Sequence, residues 1–258
     1  MPFVRAPGVC LYKIDYSETS QVLKFFTPTH GQIHCIAKGA KRKKGPFLAP
    51  FDLLTVYDLI RIEKRPGTLD ILTQAERLRN FAKLSADYAR FTGACYAAEF
   101  VMEFAPEGQP VEGLFERLVE VLERLEAGVP VPDAVFSFET RALGALGYLP
   151  RVRECGVCRR AVRAPEAYFS VRDGGALCPE CRPREERWFP VRRAALESIA
   201  RFGDGEMPRE PMRRALVVEI RRILDVCVRF HLDRELKSVR FVRDAVAAGG
   251  EATSRTAE

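Results

Sequence analysis

The chain has 258 residues, of which 47% are hydrophobic, and its formal net charge is +6 at pH 7. This length suits one large domain or a few small ones, and no uninterrupted apolar run is long enough to cross a membrane. Residues 1–80 and 151–258 each carry a net charge of +6, whereas residues 81–150 carry −6. The two basic segments favour an anionic partner such as nucleic acid, and the acidic middle indicates a different role.

The N-terminal segment shows the pattern of short β-strands joined by turns. Five runs are rich in β-branched and aromatic residues: Val9–Tyr12, Val22–Phe26, Ile33–Ile36, Phe51–Tyr57 and Leu69–Leu72. A turn over Thr27–Gly31 separates the second run from the third. About five short strands in so few residues predict an OB-type β-barrel, a fold that often binds single strands.

A basic loop follows the third predicted strand. Its cations are Lys38, Lys41, Arg42, Lys43 and Lys44. Glycines at both ends free the backbone, so the loop can mould to a polyanion, and loops of OB barrels frequently bind oligonucleotides. We therefore predict that these five cations bind nucleic acid. The alternative is a solvated charge run that only keeps the protein in solution.

Two aromatic residues and three more cations follow this loop. Phe47 and Phe51 could stack on bases, although core packing accounts for each of them more simply. Arg61, Lys64 and Arg65 lie on or after a later strand, and we predict that they extend the same nucleic-acid-binding surface.

Beyond Asn80 the hydrophobic period becomes helical. Helices are predicted from Phe81 onward, over Leu114–Leu125, over 133–146 and over 211–230. The last of these has an apolar stripe that includes Ile220 and Leu224. Its opposite face carries four arginines that we expect to face solvent: Arg214, Arg221, Arg222 and Arg229.

Two Cys-x-x-Cys pairs are the strongest local motif of the chain. Cys155 and Cys158 form the first pair, Cys178 and Cys181 form the second, and nineteen residues separate the pairs. Each pair can direct two thiolates at one ion, so the spacing predicts a four-thiolate zinc site. Because the protein would fill all four positions, this Zn²⁺ would be structural rather than catalytic.

A disulfide framework and a catalytic zinc site both fit these cysteines less well. A disulfide framework suits a secreted protein, but the first residues carry no apolar signal segment, and the remaining cysteines lie among apolar neighbours. These features predict a reducing, cytoplasmic compartment. A nucleotide deaminase needs a His-x-Glu motif, and no histidine of this chain has Glu two residues later.

The motifs of common enzyme classes are missing from the sequence. It contains no phosphate-binding Gly-x-x-x-x-Gly-Lys-Ser/Thr loop, no Gly-x-Ser-x-Gly elbow and no His-Glu-x-x-His pair. We therefore predict a protein that is not an enzyme.

The order of these elements predicts an α+β architecture. An N-terminal OB-fold β-barrel over residues 1–80 precedes an all-α helical domain over 81–150 and 186–245. A four-cysteine zinc ribbon over 151–185 is inserted in the helical domain, and residues 246–258 form a flexible tail.

Several motifs together resemble the RecO family of bacterial recombination mediators. In the N-terminal segment these are Glu18-Thr19, Phe26–Gly31, Lys38–Arg42 and Leu48–Phe51. Further on they are Phe138-Glu139, Leu146–Pro150 leading into the first cysteine pair, Gly174–Cys181 and Leu236–Phe241. The likeness spans about residues 3–245.

The resemblance implies a function in DNA repair and homologous recombination. Such proteins bind single- and double-stranded DNA and anneal complementary strands coated with single-strand-binding protein. With RecR they help to load RecA, and they use no nucleotide. A cytoplasmic, nucleoid-associated location without membrane contact follows, as does contact with the single-strand-binding protein. As a separate hypothesis, the helical body offers a pocket for the C-terminal tail of that protein, at a place that the sequence does not locate.

The resemblance also assigns residues. It places Lys38, Lys41 and Arg42 at basic DNA-binding positions of the family. Lys41 stands where Arg is common, so a bidentate phosphate contact becomes a point-charge contact. Some members lack the zinc cysteines, so the family role does not require the metal.

Two further functions stay open on the residues alone. A zinc-ribbon adaptor in transcription would bind protein through the ribbon, but the OB-sized basic segment ahead of it argues against this function. A nuclease would need carboxylates clustered around Mg²⁺, and the spacing of the acidic residues assembles no such cluster.

Overall fold

A computed structural model describes residues 2–65, 67–182 and 188–248. The chain divides into two compact units, residues 1–126 and 127–258. The predicted helical segment 81–150 is therefore shared between the two units. Most of the predicted tail, from residue 249 onward, lies outside the described residues. None of the described helices is long and apolar enough to span a membrane.

Five strands of the first unit form a closed barrel. They are β1 (Phe3–Asp15), β2 (Gln21–Thr27), β3 (Gly31–Ala37), β4 (Val56–Ile62) and β5 (Asp70–Arg79). The strand order is β1-β2-β3-β5-β4, and β4 pairs back with β1 to close the ring. Only the β3–β5 pair is parallel among these described strands. This arrangement is that of a five-stranded OB barrel and confirms the predicted fold class.

The barrel interior is filled by the alternate, inward-facing residues of the strands. Leu23, Phe25 and Cys35 are fully buried there. Phe47 and Phe51 lie in the same core, with their ring centroids 5.2 Å apart. Their burial shows that the core interpretation of these two rings is correct and that base stacking on them was the wrong alternative.

The fourth strand begins later than its hydrophobic pattern predicts. The segment from Phe51 to Leu54 is a loop against the barrel, in which the N–H of Leu54 donates to the carbonyl of Cys10 at 2.8 Å. Leu54 also has a positive φ of 58°, which a regular strand does not permit. A buried apolar run can be a strand or a packed loop, and the run alone does not distinguish them.

Two α-helices complete the first unit. A 3₁₀ turn over Ala82–Ala86 leads to α1 (Tyr88–Phe104), and α2 (Leu114–Glu126) follows. The side chain of Asp87 caps α1 by accepting from the N–H of Arg90 at 3.0 Å. Leu114, Leu118 and Leu122 of α2 are fully buried, as their spacing predicts.

The described residues of the second unit form four α-helices and a small sheet. The helices are α3 (Val131–Ala145), α4 (Arg193–Gly203), α5 (Arg214–Leu232) and α6 (Val239–Ala248). The strands β6 (Glu166–Ser170), β7 (Gly175–Leu177) and β8 (Phe189–Arg192) pair in the order β7-β6-β8. Because β8 pairs with β6, the ribbon's sheet extends past the predicted boundary at residue 185. The sequence pattern predicted neither α4 nor α6.

One of the four arginines expected to face solvent on α5 is buried. Arg221 is only 3% exposed, whereas Arg214, Arg222 and Arg229 are exposed as predicted. The guanidinium of Arg221 faces Glu139 of α3, which is fully buried as well. A buried carboxylate needs a cationic partner, and this requirement places Arg221 inside.

Candidate nucleic-acid interface and metal centre

The basic loop leaves the end of β3 and is held by the loop between β1 and β2. The N–H of Lys41 donates to the carbonyl of Thr19 at 3.0 Å, and the N–H of Arg42 donates to the carbonyl of Gly39 at 3.0 Å. Gly39 has a φ of +77°, a conformation that is strained for any residue with a side chain. These bonds fix the loop's backbone, so its cations are presented from a defined position.

The side chains of this loop are available to an anion. Lys38, Arg42, Lys43 and Lys44 are exposed and form no ion pair with any described carboxylate. Lys41 pairs with Asp15, at 2.6 Å between Nζ and Oδ2. The hydrogen bond from Lys41 holds the pKa of the Asp15 carboxyl below its usual value. Four of the five predicted cations can thus meet phosphates without breaking an existing pair.

The outer face of β1, β2 and β3 adjoins this loop and was not predicted as part of the site. Strand register aligns Tyr12, Lys24 and His34 in one row across the three strands. Tyr12 is 42% exposed, and Tyr16, in the loop that follows β1, is 69% exposed. In the sequence, the alternation of Tyr12 with the apolar Leu11 could have indicated that the Tyr12 ring faces outward. Only the strand register shows which residues lie beside Tyr12 on that face.

Arg61, predicted to bind nucleic acid, is almost fully buried, at the wall of a cavity that Lys64 and Arg65 also border. Its side chain is 3% exposed, it pairs closely with Asp70, and it lies 3.5 Å from Glu63. The alternation of β4 places Leu59 and Arg61 on the same inward side. A buried, paired guanidinium does not extend the exposed surface of the basic loop.

Lys64 and Arg65 form a second basic patch, on the loop between β4 and β5. They border a cavity of about 620 Å³ together with His30, just before β3, and His34 on that strand, and the carboxylates of Glu63, Asp70 and Glu107 line it as well. The basic loop leaves the other end of β3. The two patches therefore flank the outer face of this strand and do not form one cluster.

The four predicted metal ligands converge on one point. The sulfur atoms of Cys155, Cys158, Cys178 and Cys181 all lie within 4.8 Å of one another. The sulfurs of Cys158 and Cys178 are 3.8 Å apart. Four thiolates around a tetrahedral zinc, each with a bond of about 2.3 Å, have sulfur–sulfur edges of about 3.8 Å. The donor set and its spacing fit such an ion.

Backbone hydrogen bonds bring the two cysteine pairs together. The N–H of Cys155 donates to the carbonyl of Arg160 at 2.8 Å and closes the first knuckle. The N–H of Gly156 donates to the carbonyl of Ala176 on β7, also at 2.8 Å, so this knuckle lies against the strand that leads into Cys178. A Cβ at Gly156 would lie 2.0 Å from the carbonyl oxygen of Asp173, so only glycine permits this approach.

The pKa of Cys158 is shifted in the opposite direction to that of the buried barrel cysteines. Hydrogen bonds from the backbone and the side chain of Arg160 lower the pKa of the Cys158 thiol to about 6. Burial instead raises the pKa of Cys10 and of Cys35 to about 12. The thiolate is the form that binds metal, and a lowered pKa favours it at Cys158, but burial raises the pKa of Cys178 in the same cluster, so it is the convergence of the four sulfurs that identifies the site.

The structure defines a class of two-part OB-fold proteins. The first part is a closed OB barrel with a basic loop, and the second is a helical unit that contains a four-cysteine ribbon. The family model "Recombination protein O N terminal" matches residues 1–81, and "Recombination protein O C terminal" matches residues 85–240. The chain therefore belongs to the RecO family of DNA repair proteins, as its motifs indicated.

Relatives along the whole chain agree with this assignment. The DNA repair protein RecO of Anaeromyxobacter sp. (strain K) is 34% identical over 249 residues, which cover 94% of this chain and 96% of the relative. The protein of the same name from Myxococcus xanthus is 31% identical over 240 residues, covering 91% and 95%. That of Gloeobacter violaceus is 31% identical over 237 residues, covering 91% and 90%.

Proposed function

We propose that this protein is a non-catalytic mediator of DNA repair and homologous recombination. It binds single- and double-stranded DNA and anneals complementary strands coated with single-strand-binding protein. With RecR it helps to load RecA. The observation that carries the proposal is the exposed basic loop, held beside the outer face of the OB strands in a chain of the RecO family.

The geometry supports a path for a single strand over β3. Phosphates meet Lys38 and Arg42 at one end of the strand, and Lys64 and Arg65 at the other. Bases lie on the face between them, where Tyr12 offers an exposed ring. Aromatic stacking tolerates any base, so this site binds strands without sequence preference.

Annealing follows from charge neutralisation. Two strands repel each other through their phosphates, and a protein coat blocks their pairing. A basic barrel lowers the repulsion, while the helical body binds the acidic, apolar-ended tail of the coating protein. Contact with that tail brings the mediator to coated strands. The function places the protein in the bacterial cytoplasm, near the nucleoid.

The four cysteines hold a structural Zn²⁺ in this proposal. The ion would complete a closed four-thiolate site and stabilise the ribbon, and its closed shell leaves no position for a substrate. Cys155 and Cys158 on the knuckle, with Cys178 and Cys181 after β7, are the four ligands.

The test is annealing of complementary strands that have first been coated with the cognate single-strand-binding protein. We expect faster annealing when the full-length protein is added, with no nucleotide present. Deleting the tail of the coating protein should reduce this gain, whereas the protein should still accelerate annealing of naked strands, which carry no coating protein and serve as the control. If the protein binds DNA but leaves the annealing rate unchanged, the mediator function is wrong and a zinc-ribbon adaptor becomes the better hypothesis.

A further inference from the structure

The second unit carries a groove in which aromatic rings and arginines alternate, and the proposed barrel site does not use it. The groove is lined by the end of β6, by Trp188 and Phe189, and by Arg222 and Val226 of α5, with a volume of about 570 Å³. Arg172, just past β6, also borders it, and none of the described carboxylates does. Arg172 and Arg222 therefore give the described lining of the groove a positive charge, which favours an anionic ligand.

The rings of this groove are held in place by cation–π contacts. The guanidinium of Arg222 lies 4.1 Å from the ring centroid of Phe189. Arg182 lies 4.9 Å from the ring of Trp188 and 5.0 Å from that of Tyr168. The rings of Trp188 and Tyr168 meet edge to face, with their centroids 4.8 Å apart. Such an assembly is a rigid platform whose half-buried Trp188 borders the groove.

The groove continues along the outer face of α5. Arg222 and Val226 also line an adjoining hollow of about 530 Å³, together with Arg214 and Val218. Residues 214 and 222 are separated by about 12 Å along the helix. Val218 between them is 52% exposed.

Some charged side chains of this hollow are already in ion pairs, and others are not. Asp225, which also borders it, pairs with Arg221 at 2.8 Å and with Arg243 at 2.7 Å, so its negative charge is already neutralised. Arg214 and Arg222 form no ion pair with any carboxylate of the described chain, and neither does Arg172 in the groove. The cations left to a ligand are therefore spread along one track.

We infer that this groove and hollow form a second binding site for single-stranded nucleic acid, in which a base stacks at Trp188 and phosphates contact Arg172, Arg222 and Arg214. A polyanion with evenly spaced charges engages arginines spread along a track. An acidic, apolar-ended protein tail would meet the same arginines, but the aromatic platform at Trp188 favours the flat face of a base. The inference deepens the proposed annealing function, on which it rests, because a chain with two sites can hold two strands at once.

The composition of the chain supplies a probe for this site. Trp188 is the only tryptophan, so intrinsic tryptophan fluorescence reports on the groove alone. We expect a short oligothymidylate to quench this fluorescence saturably when it is added to the full-length protein. If three arginines contact phosphates, the logarithm of affinity should fall with the logarithm of salt with a slope of about −2.

Matched variants separate the groove from the barrel. Replacing Arg172→Glu and Arg222→Glu should weaken the affinity measured at Trp188 by at least about tenfold. Replacing Arg163→Glu and Arg209→Glu changes the net charge equally outside the groove and should leave that affinity within about twofold. The milder pair Arg172→Gln and Arg222→Gln serves if the charge reversals disturb folding. Alanine at residues 41–44 of the basic loop should leave the quenching in place.

The outcomes are distinguishable. If fluorescence anisotropy of a labelled oligonucleotide shows binding but Trp188 emission does not change, the second site is wrong while the proposed function stands. If no DNA binds at all, the proposed function itself fails. If an acidic peptide with a C-terminal phenylalanine quenches Trp188 and the oligonucleotide does not, the groove is a protein-binding site and the inference is overturned.

Discussion

Arg221 and Glu139 form a bidentate ion pair in the core of the second unit. Nη1 and Nη2 of Arg221 lie 2.7 and 2.8 Å from the two carboxylate oxygens of Glu139, and the Glu139 side chain is completely buried. The pair joins α5 to α3 across 82 residues of sequence. Asp225 lies 2.8 Å from Nε of Arg221 and is shared with Arg243, at 2.7 Å. The helices are thus held in one relative position by charge as well as by apolar packing.

We expect Arg221→Met to lower the free energy of unfolding of the second unit by about 3–5 kcal/mol, because it leaves the Glu139 carboxylate buried without its partner. The double variant Arg221→Met with Glu139→Leu should recover most of this loss. Denaturant unfolding followed by Trp188 fluorescence measures both values. Equal losses in the single and double variants would contradict the view that the pair matters through the buried charge.

Arg61 should contribute to stability and not to DNA binding. Arg61→Met leaves Asp70 without its main cation inside the barrel, so we expect a loss of about 3 kcal/mol in the unfolding free energy of the first unit. The salt dependence of DNA affinity should not change. The matched variant Lys64→Ala with Arg65→Ala should show the opposite pattern. The slope of log affinity against log salt should become flatter by about 1.4, while the free energy of unfolding stays nearly unchanged. A flatter slope for Arg61→Met would restore this residue to the interface.

The basic loop should dominate the salt dependence of single-strand binding. If its five cations each neutralise a phosphate, they contribute about −3.5 to the log–log slope, and alanine at Lys41, Arg42, Lys43 and Lys44 removes about 2.8 of this. The loss should be equal for all sequences, since phosphates carry no sequence information. Affinity titrations at several salt concentrations measure the slope. An unchanged slope would remove the loop from the site.

The exposed tyrosines beside this loop should supply base stacking. We expect Tyr12→Ala or Tyr16→Ala to weaken single-strand affinity by about 1–3 kcal/mol, and Tyr16→Phe to keep it, because the ring and not the hydroxyl stacks. Tyr88→Ala is the matched control, since Tyr88 is 69% exposed but lies on α1. Equal losses in all three alanine variants would indicate a general effect on folding and would contradict a stacking role.

The cysteine cluster should hold about one zinc ion per chain and stabilise mainly the ribbon. Cys178→Ser, or a strong chelator, should expose the backbone of residues 151–182 to hydrogen exchange while α3 and α5 stay protected. Cys95→Ser is the control, because this half-buried thiol lies in α1, outside the cluster. Metal analysis of the purified protein gives the stoichiometry. A metal-free protein with a fully protected ribbon would show that the ion is dispensable for the fold.

The features that the sequence predicted correctly depend on neighbours along the chain. Each cysteine pair forms its knuckle within four residues, so spacing was enough to predict the cluster. The buried leucines of α2 were also predicted correctly, because the spacing that puts them on one helical face is visible within a few turns of sequence. All five barrel strands were predicted at least in part, but the three strands of the ribbon were not. The error at β4 arose where Phe51–Leu54 packs as a loop with strand-like composition.

The interior charges and the aromatic groove depend on the pairing of distant segments. Whether Arg61 points inward is decided by the parity of β4 in a closed barrel, and whether Arg221 is buried is decided by the side of α5 that meets Glu139. Trp188 and Arg222 border one groove only because β8 adds to the ribbon's sheet beside α5.

The sequence by itself determined the family, the barrel, the basic loop and the four-cysteine cluster, because local spacing and short motifs encode each of them. Only the tertiary structure decided which cations remain on the surface and which aromatic rings are exposed. A charged or aromatic residue looks the same in the sequence whether its side chain is buried or exposed. Its location is set by the free energy of burying it against partners that lie far away in the chain.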